Sequence, residues 1–172
     1  MKSLNKLVAA LALLVPVVAA AEPLPKPVSD LDCLVGAWTG TGSLTMGKDK
    51  AKLSGAWDCK RTSAKFGVAC TLRIAGIPGL PVYEETDLFG YEANTNTYHW
   101  FSVTNSGETH DHVAKLPSGN TAQFEFNGIQ EGKAFKEVVS FTFSNDSKNL
   151  AVRSESFVAG TSTAVMEFGV HK

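Results

Sequence analysis

The sequence predicts an all-β protein: an antiparallel up-and-down β-barrel of about ten strands, with a short N-terminal helical turn closing one end. Three observations lead there. Short runs of alternating apolar and polar residues recur from Ala37 to Val170, the period-two signature of half-buried strands. Nearly all the links between the runs are short and rich in Gly, Asn, Asp and Ser, so consecutive strands are antiparallel neighbours. A meander of that length has two free edges, and closing it on itself removes both.

Residues 1–21 stand apart from the fold. Lys2 and Lys6 precede an apolar run from Leu7 to Val18 that ends in Ala19-Ala20-Ala21, the layout of a secretory signal peptide cleaved before Glu22. At ~1.5 Å per helical residue the run falls well short of a ~30 Å hydrocarbon core, so the mature chain is expected to carry no membrane anchor. No cysteine sits at the junction to take a lipid. The expected location is periplasmic or secreted.

Residues 22–30 form a leader with Pro23, Pro25 and Pro27, which fix φ and remove donors and so predict an extended tether. The remainder, 31–172, reads as one barrel domain. Asp30 is placed to cap one helical turn carrying Leu31, Leu34 and Val35, with Gly36 suited to ending it. The strands then follow as Ala37–Met46, Ala51–Lys60, Lys65–Ile74, Val82–Tyr91, Thr97–Thr104, Thr109–Leu116, Thr121–Asn127, Ala134–Phe143, Leu150–Val158 and Thr161–Val170.

Composition excludes some functions. The chain has 172 residues, 44% hydrophobic and 19% charged, with 16 basic against 17 acidic side chains. Two of the bases belong to the signal, so the mature chain is acidic overall and has no basic excess to neutralise nucleic-acid phosphates. Three cysteines in an exported chain allow at most one intramolecular bridge. A hairpin register opposing 59 to 70 brings Cys59 and Cys70 to one side within bridging distance. That pair is the preferred disulfide, the alternative being two buried free thiols. Cys33 reads as a core residue, since no C-x-x-C motif is present.

Strand parity separates inside from outside. Phe135, Val139, Phe141 and Phe143 share a face with Glu137, and Phe124 shares one with Phe126. About ten strands make a barrel wider than the ~8 that side chains just fill, which leaves room for a cavity. Its candidate lining is Trp57, His99, Phe101, His112, Phe124, Phe126, Phe135, Glu137 and Phe141, with Arg153 or Arg73 as a partner for the Glu137 carboxylate. Glu84, Glu85 and Asp87 are expected to form a solvated cluster.

The most informative motif is Gly36-x-Trp38-x-Gly40-x-Gly42. Its four residues share one strand face, so the indole can plug a barrel end while the glycines allow sharp coiling and close backbone approach. The motif resembles the first-strand signature of calycin-like barrels, shared by nitrobindin-type haem barrels and, in part, by lipocalins. Asp87-Leu88-Phe89-Gly90-Tyr91-Glu92 followed by Thr97-Tyr98-His99-Trp100 resembles a secreted bacterial family known as a domain of unknown function with the same barrel. The resemblance implies a ten-stranded barrel whose pocket can hold an apolar molecule. It also implies that a haem, if one is held, would use a histidine near the C-terminus; by position that is His171.

His110-Asp111-His112 places two imidazoles on one strand face. With Ser106-Gly107 read as a two-residue turn, Phe101 opposes His112 and His99 joins that face, but too far along the strand from His110 to serve as a third ligand, so no metal site is expected. No nucleophile elbow, P-loop, dinucleotide fingerprint or H-E-x-x-H motif occurs, and no catalytic residue is assigned. The leading expectation is a non-catalytic exported barrel that binds a small hydrophobic or amphipathic molecule and has no nucleic-acid partner. The rivals are a haem barrel with isomerase or redox chemistry, and a filled barrel that binds a protein on its outer surface.

Overall fold

The computed structural model describes residues 24–115 and 120–172; the signal peptide and the expected turn at Pro117-Ser118-Gly119 lie outside the described residues. Ten strands follow one another: β1 (Gly36–Met46), β2 (Asp49–Arg61), β3 (Gly67–Ala75), β4 (Tyr83–Glu92), β5 (Thr97–Thr104), β6 (Thr109–Lys115), β7 (Thr121–Gln130), β8 (Lys133–Phe143), β9 (Asn149–Val158) and β10 (Thr161–His171). Each pairs antiparallel with the next, and β1 pairs with β10, so the sheet closes without an edge.

Tight turns set the registers. Glu131-Gly132 and Ala159-Gly160 have positive φ at both residues, the two-residue geometry whose twist matches that of the flanking strands. The first of these lets β7 run on through Gly128-Ile129-Gln130, where the sequence reading placed a loop. In the β2–β3 hairpin Cys59 lies opposite Cys70, and the two are joined in the expected disulfide. Cys33 is the free cysteine among the described residues, half-buried, and burial pushes its thiol up to about 11.

The N-terminal segment departs from the reading as an extended tether. Lys26–Ser29 forms one helical turn, α1, continued by a 3₁₀ turn over Asp30–Cys33. Pro27 is compatible with this because the first helical positions need no N–H donor. Asp30 does not cap the turn through its side chain; its carboxylate instead takes the Lys26 ammonium at 2.7 Å. The segment seats Leu31 and Leu34 under one end of the barrel, against fully buried Trp38, whose indole N–H donates to the Leu34 carbonyl at 2.7 Å. Gly40 shows why this strand needs its glycines: a Cβ there would collide with the Gly169 carbonyl of β10.

One register differs from the sequence reading. The β5–β6 loop has three residues, 105–107, closed by Thr104 N–H donating to Glu108 O at 3.0 Å, with Gly107 at φ 86. Trp100 therefore opposes His112, where Phe101 was expected. A shift of one residue turns a strand's side chains to the opposite face. His99 and Phe101 accordingly point out of the barrel, His99 to Asp111 at 3.0 Å and Phe101 42% exposed, and neither is a pocket residue.

Candidate functional site

The barrel interior divides along its axis. Toward the α1 end, Trp57, Phe89, Trp100, Phe124 and Phe141 pack ring against ring with centroids 5.4 to 6.2 Å apart and fill the section. Above this floor lies a cavity of about 310 Å³, at the small end of ligand sites. It faces the opposite end of the barrel, where Leu44, Ile77, Glu108, Gln130 and Ala164 line it near the turns.

Apolar walls come from Leu72, Ile74, Val139, Val152, Met166 and Phe168. Two polar groups interrupt them. The first is built on β6 and β8: Glu137 reaches His112 Nε2 at 3.0 Å and His110 Nδ1 at 3.6 Å through Oε2, and receives the Ser154 hydroxyl at 2.6 Å on Oε1. Burial alone would raise this carboxyl, but hydrogen bonds from His110, His112 and Ser154 outweigh it and hold Glu137 well below the usual carboxylate range. The expected arginine partners are elsewhere: Arg153 and Arg73 lie on the outer surface, paired with Glu155 and Glu84. His112 stacks on Trp100 at 4.4 Å and His110 on Phe126 at 4.1 Å, so both imidazoles are fixed in orientation.

The second polar group stands on β4, where Tyr83, Glu85, Asp87 and Phe89 face inward. Asp87 is fully buried and Glu85 nearly so, which overturns their reading as a solvated cluster; only Glu84, of opposite parity, is exposed. Both Asp87 oxygens accept indole N–H groups, Trp100 at 2.6 Å and Trp57 at 2.9 Å. Glu85 accepts the Tyr83 hydroxyl at 3.0 Å. Burial, and then the neighbouring Asp87 charge, pushes Glu85 up to about 9, and burial raises Asp87 as well. With two fixed donors Asp87 is the better anion, so Glu85 carries the proton at neutral pH.

Of the residues expected from the sequence to line the pocket, Trp57, His112, Phe135, Glu137 and Phe141 do so. Phe124 belongs to the aromatic floor, and Phe126 backs His110. The sequence reading left Tyr83, Glu85, Trp100, Ser102, His110 and Ser154 out of the lining, although Glu85 and His110 were weighed there in other roles and Glu85 and Asp87 share parity with the aromatic Tyr83 and Phe89. Among the described residues no lysine or arginine lines the cavity. His171 is exposed, of opposite parity to inward Phe168 and Val170, so the residues do not fit a haem held from the end of the last strand.

Comparisons with known proteins agree on architecture. A crystal structure of Rv2717c from M. tuberculosis superposes with a TM-score of 0.64 at 15% identity, covering 87% of this chain and 99% of that one. An S-type phycobiliprotein lyase, CPES from Guillardia theta, superposes with a TM-score of 0.59 at 9% identity, covering 84% and 90%. No protein-family model and no curated protein sequence matches the chain. The calycin-like barrel implied by the first-strand motif is the fold of this chain.

Proposed function

We propose that the protein is an exported, non-catalytic barrel that holds one small, largely apolar molecule in the cavity facing the turn end, with the molecule's polar group against His110, His112, Glu137 and Glu85. The observation that carries this reading is the unfilled section above the aromatic floor: apolar walls, a few convergent polar atoms, and about 310 Å³ of space, the usual constitution of a small-molecule site. That volume also argues against a barrel filled throughout by its own side chains. The sharing of this barrel with a phycobiliprotein lyase supports the same reading.

Charge narrows the class. A ligand entering the cavity meets Glu137 ionised and, among the described residues, no lysine or arginine, so an anionic head group would lose hydration and gain no fixed cation. The occupant is neutral or cationic, and free fatty acids are excluded. Export rests on the Lys2–Ala21 pattern; the disulfide fits an oxidising compartment, and among the described residues no helix is long and apolar enough to cross a membrane.

Native mass spectrometry of protein purified from its own compartment, together with titration of a neutral fluorescent apolar probe, tests the reading. One probe per chain is expected, with binding lost in Ala164→Trp, which places an indole at the cavity mouth. Probe binding that is unchanged in a folded Ala164→Trp protein overturns it.

A further inference from the structure

We propose that His110, His112 and Glu137 form a binding site inside the barrel for one divalent first-row metal ion, with zinc the best fit. The inference goes beyond the ligand-binding reading and stands or falls separately from it. One ligand atom from each residue, Nδ1 of His110, Nε2 of His112 and Oε2 of Glu137, gives a set whose members all lie within 4.8 Å of one another. An ion at ordinary Zn–N and Zn–O distances of about 2.0–2.2 Å needs its ligand atoms about 3–3.5 Å apart. The His112–Glu137 separation of 3.0 Å meets that; the His110–Glu137 separation of 3.6 Å and the His110–His112 side, within 4.8 Å, contract when the ion binds. Two imidazoles and one carboxylate are a donor set suited to zinc with an open fourth position.

The surroundings are those of a positioned site. Ser154 occupies Oε1 of Glu137 at 2.6 Å, fixing the carboxylate so that Oε2 faces the histidines. Trp100 and Phe126 hold the two rings by stacking. The fourth position opens on the cavity these residues line, where a water molecule or an oxygen of an occupant completes the tetrahedron.

A further observation shows that the polar network is not self-sufficient. His112 Nδ1 is buried and has no hydrogen-bond partner. When Nε2–H donates to Glu137, Nδ1 is a bare lone pair, buried and left unsatisfied. An ion on Nε2 displaces that proton to Nδ1, where a metal-bound neutral imidazole carries it. The orphaned acceptor becomes a donor, and the neutral ring keeps its single proton throughout. The ion's two charges also meet the ionised Glu137 in a cavity that, among the described residues, no lysine or arginine lines.

The test is a titration of chelator-treated protein with zinc chloride by calorimetry and with cobalt chloride by visible absorption. The expected result is one ion per chain, with a cobalt spectrum of the intense tetrahedral type. Glu137→Gln and His110→Ala each weaken binding by about 10- to 100-fold or more, while His99→Ala and His171→Ala, on the outer surface, leave it unchanged. Wild-type protein that binds no stoichiometric zinc overturns the proposal, as does binding lost in the surface variants but kept in the cavity variants. The wild-type cobalt spectrum needs no substitution, so a cavity variant that fails to fold does not remove the decision. Apolar-probe binding on the same samples separates the two readings: a barrel that takes the probe and refuses both metals overturns the metal site alone.

Discussion

The two ends of the barrel are made from the same meander and differ in what they bury. At the α1 end the interior is packed with apolar side chains: Trp38 is wholly enclosed, Leu31 and Leu34 lie beneath it, and the Cys59–Cys70 bridge ties the neighbouring hairpin. The space that remains there lies between the N-terminal turns and β7–β8, beside Phe124 and Phe143. Toward the turn end the same strands carry Glu85, His110, His112, Glu137 and Ser154 inward around open space. Apolar packing gains free energy wherever water is expelled, whereas buried ionisable groups cost desolvation and need partners. The closed half therefore holds the fold together, and the open half carries charge that packing alone does not explain. A protein built only for stability would have continued the aromatic floor upward.

The sharpest way to break this comparison is to open the closed end. Trp38→Ala removes a fully buried indole and its hydrogen bond to Leu34, and is expected to cost about 3–5 kcal/mol in chemical denaturation. Breaking the disulfide, which spans 11 residues, with a Cys59→Ser/Cys70→Ser double variant is expected to cost about 2–3 kcal/mol by returning conformational freedom to the unfolded chain. Substituting Ser154→Ala at the other end should cost less than either. If it costs more than Trp38→Ala in the same denaturation experiment, the division of labour between the two halves is wrong.

A pH titration of stability sharpens the comparison from the open side. Glu85 is raised by burial and by Asp87 to about 9 in the folded protein, while the unfolded chain ionises it near the ordinary carboxylate value. A raised carboxyl favours the folded state at low pH. Its contribution is complete below the unfolded pKa of about 4.3, and is lost as pH climbs toward the folded value. Stability should therefore fall between about pH 5 and pH 9, by up to about 1.4 kcal/mol per pH unit from this group alone. Tyr83 and Asp87 on β4, His110 and His112 on β6 and Glu137 on β8 share the interior with it, so the comparison is made against Glu85→Gln, which keeps the shape and removes the titration. Denaturant midpoints measured across that range should slope downward in the wild type and flatten in the variant.

Most of the fold was legible because turn chemistry and alternation both act locally. Every strand from β1 to β10 was visible as a period-two run, and the Cys59–Cys70 pairing followed from hairpin parity. The site was harder to read for two physical reasons. A carboxylate on an apolar face is ambiguous until its partner is known, and the partners of Glu137 arrive from β6 and β9 across the barrel: His110, His112 and Ser154. Its sequence-level partner candidates were arginines that point outward. The turn from Asp30 onward was read, but its first turn over Lys26–Ser29 was missed because three prolines read as an extended tether, although Pro27 falls at one of the few helical positions where proline is tolerated.

The β5–β6 loop gives the smallest expected effect and the most direct check on the register. Closed as a three-residue loop with Gly107 at φ 86, it sends Trp100 and Ser102 inward and His99 and Phe101 outward; closed as a two-residue turn, it would do the reverse. The two arrangements predict opposite costs. With His99 37% and Phe101 42% exposed, substitution of either by alanine should change stability by about 0.5 kcal/mol or less and leave apolar-probe binding at its wild-type value. Trp100→Phe, by contrast, removes the indole N–H held by Asp87 at 2.6 Å and leaves a buried carboxylate short of a donor, a loss of about 1–3 kcal/mol. Should Phe101→Ala prove the more damaging of the two in urea denaturation, β5 faces the other way, and the wall that presents His110 and His112 to Glu137 must be redrawn.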